Sequence, residues 1–413
     1  MKYSFGSLLR NALTGGRRWP PAWRSPRPAP SYDVVVVGGG GHGLATAYHL
    51  ARDHGIRNVA VLERGWLGGG NTGRNTQVTR SNYYWPESCA FFDHSLRLYE
   101  RLSRELDFNV MMSQRGIVTL AHSEHELEML RRWANAIRVN GVDSEMLAPH
   151  DLARSMPLLR LDGRYPVLGG FVQRRGGVSR HDAVAWGYAR AASALGVDIV
   201  QQCEVTGIET ADGRAVAVRT SRGHIACGHL AVCVAGSTSL LMRMAGVRVP
   251  IQTMALQAMV SEPVGRCLDT VVVSPVVHAY VSQSDRGEIV LGGGADGYAS
   301  YAQRGSPVVL QETIAAMCEL FPAFGRLRLM RQWAGMVDIT PDTTPVMGLT
   351  PVDGLYLSGG WGTGGYKAIP AGGETLAWTI ANGRPHPLIE RFGLDRFEAG
   401  RLIDEGAASG VAH

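Results

Sequence analysis

The turn Gly38-Gly39-Gly40-Gly41-His42-Gly43 follows directly on the β-branched run at residues 33–37. No other stretch constrains the fold as strongly. Four successive valines ahead of glycines read as a strand buried on both faces of a parallel sheet. Leu44, Ala47, Tyr48 and Ala51 then recur at helical spacing, and residues 58–62 form a second strand. Strand, glycine turn, helix and strand make a βαβ unit, and Gly38, Gly40 and Gly43 satisfy G-x-G-x-x-G. Glu63 falls 20 residues after Gly43, where the ribose-binding acid of a dinucleotide fold is expected. In a chain with 52 glycines the pattern alone is weak, and its setting between strand, helix and acid gives it meaning. Gly38 permits the tight turn, Gly40 lets a pyrophosphate approach the backbone amides, and Gly43 lets helix pack on strand. The helix N-terminus then faces the phosphate charge, with Gly41 and His42 in its first turn and Arg64 beside the acid.

The fingerprint does not separate FAD from NAD, but the residues after it do. Asn71-Thr72-Gly73-Arg74-Asn75-Thr76 is a donor-rich loop suited to phosphates and ribityl hydroxyls. Far downstream, a strand at 355–357 delivers a second glycine-rich turn carrying Gly362, Thr363, Gly364 and Gly365. Two such turns suit a fold that closes over a flavin. The expected FAD contacts are Gly38, Gly40, Gly41, His42, Gly43, Glu63, Arg64, Asn71, Thr72, Arg74, Asn75, Gly362, Thr363, Gly364 and Gly365.

Helices are expected at 96–106, 124–139, from His181 (stripe Val184, Tyr188, Ala191, Leu195) and at 373–380. Strands are expected at 116–120, 198–202, 215–220 and 230–234. Short alternating segments through 247–291, including 271–273 and 288–291, predict an antiparallel sheet outside the parallel core. The fold class is thus α/β, a Rossmann-like FAD-binding domain interleaved with a substrate domain on an antiparallel sheet. The expected boundaries are a basic arm at 1–30, a discontinuous FAD domain at 31–105, 165–245 and 335–395, a substrate domain at 106–164 and 246–334, and a tail at 396–413.

Composition narrows the function. The formal charge of +5 comes from the arm, where Met1–Pro30 holds six of the 41 basic residues and no acid. The remainder has 35 basic against 36 acidic residues, which does not fit a nucleic-acid binder. The arm is Arg-rich, but its prolines from Pro20 onward oppose a helix beyond about residue 19. It reads as an ordered clasp for a partner, with a mitochondrial address as the alternative in a eukaryote. No run of about 18 apolar residues predicts a membrane span. Six scattered cysteines without C-x-x-C pairing suit reduced thiols in a cytoplasm and no metal site.

Four longer stretches carry a family resemblance: VVVVGGGGHGLATAYHLA, VLERGWLGGGNTGRNTQVTRSNY, QRRGGVSRHDAVAWGYARAA and GGWGTGGYKAIPAG. The chain resembles the amine-oxidising FAD oxidoreductases that include D-amino-acid oxidase and monomeric sarcosine oxidase. Within them it is similar to the β-subunit family of bacterial heterotetrameric sarcosine oxidases. The resemblance implies noncovalent FAD reduced by sarcosine, and a second flavin, FMN, attached covalently to a histidine and reacting with oxygen. It implies α, γ and δ partner subunits, and tetrahydrofolate as acceptor of the one-carbon unit.

The matching histidine is His181. At a helix N-terminus its ring is kept neutral, as a nucleophilic nitrogen requires. Arg180 and Arg331 are the expected cations for the FMN phosphate. Arg80 and Lys367 match the family's carboxylate-binding Arg and Lys, a two-pronged clamp and a point charge. The resemblance adds Val205, Gly236 and Lys367 to the expected FAD contacts. The chain departs from the monomeric relatives twice. Residues 333–338 hold no cysteine, so FAD is releasable, and residues 288–291 carry Ile289 and Val290 where those enzymes place an oxygen-activating lysine. A stand-alone FAD-dependent amino-acid oxidase or dehydrogenase is the alternative, with one flavin per chain. A noncatalytic nucleotide-binding subunit is a third reading. His42 has no catalytic role assigned, and neither do Tyr83, Tyr84 and Trp361.

Overall fold

The protein is seen in a computed structural model that describes residues 4–17 and 21–405. The valine run forms the strand Ser31–Val37, fully buried from Val34 to Val36 because sheet neighbours and helices cover it on every side. It pairs in parallel with Val59–Leu62 on one side and Gly223–Val232 on the other. Asp198–Val200 and Leu355–Gly359 extend this parallel core outward. Val205–Ala211, Arg214–Thr220 and Val346–Leu349 add antiparallel strands at its margins. The crossover helix Gly41–Asp53 packs against both His181–Ala194 and Ile369–Asn382.

Among the described residues the second sheet has eight strands, in the order Leu329–Ile339, Gln252–Pro263, Glu288–Ala295, Ala279–Gln283, Val271–Ser274, Ile117–Ala121, Gly169–Gln173 and Glu145–Leu147. It is antiparallel except where Val271–Ser274 meets Ile117–Ala121, and that parallel pair joins the two expected parts of the substrate domain. Gly169–Gln173, which the expected boundaries give to the FAD domain, is bonded into this sheet, and Leu329–Ile339 runs across the boundary at 335. A three-stranded ribbon of Val78–Thr79, Gly177–Val178 and Ser113–Gln114 sits apart from both.

The expected helix at 124–139 is present with those ends, its N-terminus capped by Ser123, whose hydroxyl accepts from the Glu126 N–H at 3.2 Å. The helix expected at 96–106 instead spans Pro86–Glu105. Its first half was hidden because Ser88, Asp93 and Ser95 are buried there, which blurs the amphipathic stripe. Val205–Ala211, Gly169–Gln173 and the helix Pro307–Leu320 were not anticipated. The arm helix Phe5–Leu13 stops short of the prolines, and the Arg24 N–H donates to Ser193 Oγ at 2.9 Å. Residues 18–20 of the arm and 406–413 of the tail lie outside the described residues.

Candidate active site

A cavity of about 600 Å³ opens where the parallel strands end, lined by both glycine turns and by the second sheet. The first turn is shaped by contacts that admit no side chain. Gly38 has φ +112°, and a Cβ on Gly43 would lie 2.0 Å from the Gly38 carbonyl oxygen. Gly43 therefore sets how closely helix meets strand and does not itself line the cavity. At the helix start the Gly41 N–H donates to Thr72 Oγ1 at 2.9 Å. The Glu63 carboxylate accepts from the Gly39 N–H at 2.9 Å and the Gly65 N–H at 2.8 Å. Two amides leave a carboxylate further lone pairs for a ribose diol.

The second turn is tied to the first by His42. Its Nε2–H donates to the Gly365 carbonyl at 2.7 Å, and its ring stacks on Trp361 with centroids 4.3 Å apart. Burial pushes its pKa down to about 4, so the ring is neutral. Its buried Nδ1 has no protein partner among the described residues. Asp338, on Leu329–Ile339, accepts from the Gly360 N–H at 2.6 Å, and its own carbonyl accepts from the Gly362 N–H at 2.8 Å. Burial raises the Asp338 carboxyl to about 7. Sequence reasoning noted only that its segment lacks cysteine. A carboxylate inside the otherwise apolar strand MVDI was the available sign that this residue is buried for a purpose.

Arg80 and Lys367 both line the cavity, and both are almost fully buried. Arg80 Nη1 donates to Asn82 Oδ1 at 2.8 Å, and its guanidinium lies 4.6 Å from the centre of the Tyr83 ring. Lys367 Nζ donates to the Thr363 carbonyl at 2.7 Å. Burial and the neighbouring Arg80 hold the Lys367 ammonium well below its ordinary pKa. A guanidinium and a lysine amine facing one cavity fit an anionic group between them.

Of the remaining expected FAD contacts, Gly40, Arg64, Asn71, Arg74, Asn75, Val205, Gly236, Gly362, Thr363 and Gly365 line this cavity, and Gly364 does not. The donor set fits the dinucleotide. A Cβ on Gly40 would come no nearer than Thr72 Oγ1 at 3.1 Å, and Asn71 keeps a buried Oδ1 without a partner among the described residues. Cys233 lines the cavity too, and burial holds its thiol protonated with a pKa of about 12, so it offers no thiolate.

His181 stands elsewhere. It opens the helix His181–Ala194 after the ribbon strand Gly177–Val178, half-buried, with Nδ1 buried and unpartnered among the described residues. Burial lowers its pKa, opposed by Asp182 and helped by Arg180, which favours the neutral ring. An orphaned neutral nitrogen fits a covalent attachment point. Arg180 lines a narrow cleft nearby with Val290, but its guanidinium already grips Asp182 through bonds of 3.1 and 2.8 Å. Arg331 is not with them. It is exposed on Leu329–Ile339 near Arg74, whose pKa is lowered by burial first and then by Arg331 and Arg64. Arg64 and Arg74 line the dinucleotide cavity, and Arg331 does not.

An α/β dinucleotide-binding protein with a second sheet roofing its cavity is the class that this fold and site define. The family described as FAD dependent oxidoreductase matches residues 33–378. The chain is 52% identical over 413 residues to sarcosine oxidase subunit beta of Rhodobacter capsulatus, covering 100% of both, and 50% identical over 393 residues to that of an Arthrobacter species, covering 95% of this chain and 97% of that one. The chain belongs to the FAD dependent oxidoreductase family, among the sarcosine oxidase β subunits. In three dimensions it is similar to L-proline dehydrogenase from P. horikoshii, with TM-score 0.85 and 26% identity over 90% of this chain and 99% of that one. Glycine oxidase from Geobacillus kaustophilus shares the fold, with TM-score 0.81 and 20% identity over 89% and 99% of the two chains. No helix among the described residues is long and apolar enough to cross a membrane.

Proposed function

We propose that this chain oxidises sarcosine to glycine as the flavin-carrying subunit of a heterotetramer with α, γ and δ partners. FAD is held noncovalently by the two glycine turns, and FMN is attached at His181. The pairing of Arg80 and Lys367 in one cavity with both turns carries the reading. When bound, FAD supplies the hydride acceptor. Arg80 and Lys367 hold the substrate carboxylate, so the N-methyl group is presented in one orientation and its amine is kept from sliding along the cavity. The deeply buried Lys367 gains its proton most readily when that carboxylate arrives, which favours anionic substrates over simple amines.

Arg180 serves the FMN phosphate from beside His181, while Arg331 contributes charge at the FAD cavity. The product imine yields glycine and a one-carbon unit, which tetrahydrofolate accepts as 5,10-methylene-tetrahydrofolate, and oxygen leaves as hydrogen peroxide at the second flavin. Ile289 is buried and Val290 faces the cleft beside Arg180, so neither offers a lysine ammonium to oxygen. The six cysteines, all free among the described residues, support a cytoplasmic location. The subunits co-expressed and purified together decide the matter. Acid precipitation leaves yellow FMN in the pellet and releases FAD, and anaerobic sarcosine bleaches the native protein. A colourless pellet from correctly assembled material removes the second flavin, and failure to bleach removes the substrate.

A further inference from the structure

The end of the described chain returns to the substrate loop. Arg396 forms a buried two-pronged ion pair with Asp342, at 2.8 and 2.9 Å, and also donates to the Thr344 carbonyl at 2.8 Å. Ile403 is locked to the same place, its carbonyl accepting from Thr344 Oγ1 at 2.6 Å and its N–H donating to Asp342 Oδ2 at 3.2 Å. Glu405 hangs from the same anchor, its N–H donating to the Asp342 carbonyl at 3.2 Å. It is 2% exposed, and its carboxylate accepts from the Tyr84 N–H at 3.0 Å and the Trp85 N–H at 2.9 Å. Trp85 Nε1 donates to the Asp404 carbonyl at 2.6 Å.

These amides belong to the segment that leads from Arg80 into the helix Pro86–Glu105. Tyr83, beneath the Arg80 guanidinium, stacks on Phe92 of that helix with centroids 3.6 Å apart. The anchor, Asp342, lies four residues beyond Asp338, which holds the turn bearing Lys367. One strap thus joins the two halves of the carboxylate clamp, which are far apart in the chain.

We propose that Glu405 is a positioning residue for substrate binding: by pinning the Tyr84 and Trp85 amides it fixes the loop that presents Arg80. The inference rests on the reading of Arg80 as the carboxylate grip. A buried carboxylate with two backbone amides is a directional tether, and a neutral amide in its place accepts through one oxygen only. Co-expressed assemblies carrying Glu405→Ala, Glu405→Gln and Arg80→Ala are compared by anaerobic flavin reduction with sarcosine, by acetate titration of the flavin spectrum, and by FAD content.

Glu405→Ala is expected to raise the apparent Kd for sarcosine and acetate about tenfold, with the limiting reduction rate and FAD content retained, and Glu405→Gln to fall between it and the parent. If Glu405→Ala does not assemble, the intermediate behaviour of Glu405→Gln decides. Lower Tm with unchanged Kd in either variant overturns the proposal, because a strap with only structural work changes stability alone. If Arg80→Ala also leaves both Kd values unchanged, the carboxylate grip itself is wrong. If Arg80→Ala weakens binding and the Glu405 variants do not, only the tether falls.

Discussion

The FAD cavity and the surroundings of His181 are built on opposite principles, although the ribbon pairing Val78 with Val178 and Thr79 with Gly177 links their loops. The dinucleotide end of the cavity is shaped by backbone. Glycine turns, helix-start amides and a pinned carboxylate leave room that only absent side chains can provide. Around His181 the chemistry is carried by side chains at one helix start, an imidazole nitrogen unpartnered among the described residues and an arginine already paired to Asp182. A backbone site fails when atoms are added, whereas a side-chain site fails when atoms are taken away.

The largest test of that contrast is Gly43→Val. Its Cβ would sit 2.0 Å from the Gly38 carbonyl oxygen, so helix and strand must part. A loss of about 3 kcal/mol in stability or more is expected, together with loss of FAD, read by thermal melting and flavin extraction. His181→Ala is the counterpart. It should abolish acid-stable yellow colour while FAD stays bound and stability changes by less than about 1 kcal/mol. Retained covalent flavin in that variant would break the comparison outright.

Between these extremes, Arg80→Ala should cost about 1.5–3 kcal/mol in sarcosine-dependent flavin reduction, an order of magnitude or more in stopped flow, with FAD retained. Lys367 sharpens the electrostatics. Its folded pKa is depressed by burial and by Arg80, and a bound carboxylate raises it, so acetate binding should take up protons across the pH range in which the free lysine titrates. Calorimetry in buffers of different ionisation heat measures this, and Lys367→Met should remove the uptake.

The smallest effect concerns Asp338. Its folded pKa, about 7, lies above the unfolded carboxylate value of 3.8. The folded state therefore binds the extra proton, and this group's contribution to stability declines as pH rises from about 4 to about 7. Asp338→Asn should flatten that part of the profile in thermal melts taken across the range. No difference between the two profiles would show that the carboxyl titrates normally.

The first glycine turn was legible because its requirements are local. Gly43 is dictated by the Gly38 carbonyl within the turn, Gly38 by its positive φ, and Glu63 follows at a spacing set by one helix. The cavity-facing positions of Arg80 and Lys367, His181 at a helix start, and the pairing of two distant glycine turns all followed from motif strings. Arg331 did not, because a charge on an exposed strand says nothing about which site the strand passes. The buried first half of Pro86–Glu105 escaped for a similar reason, Asp93 being met by Arg175 and Ser95 by the Lys367 carbonyl, both remote in the chain.

By itself, then, the sequence determined the βαβ unit, the dinucleotide turn and the family, since short-range sterics and hydrophobic period need no distant partner. Only the tertiary structure decided that Asp338 braces the second turn, that Arg74, Arg64 and Arg331 gather, and that Glu405 reaches the Tyr84 and Trp85 amides. Each depends on hydrogen bonds or charge between segments tens to hundreds of residues apart, and the geometry of such contacts exists only after the two sheets have packed.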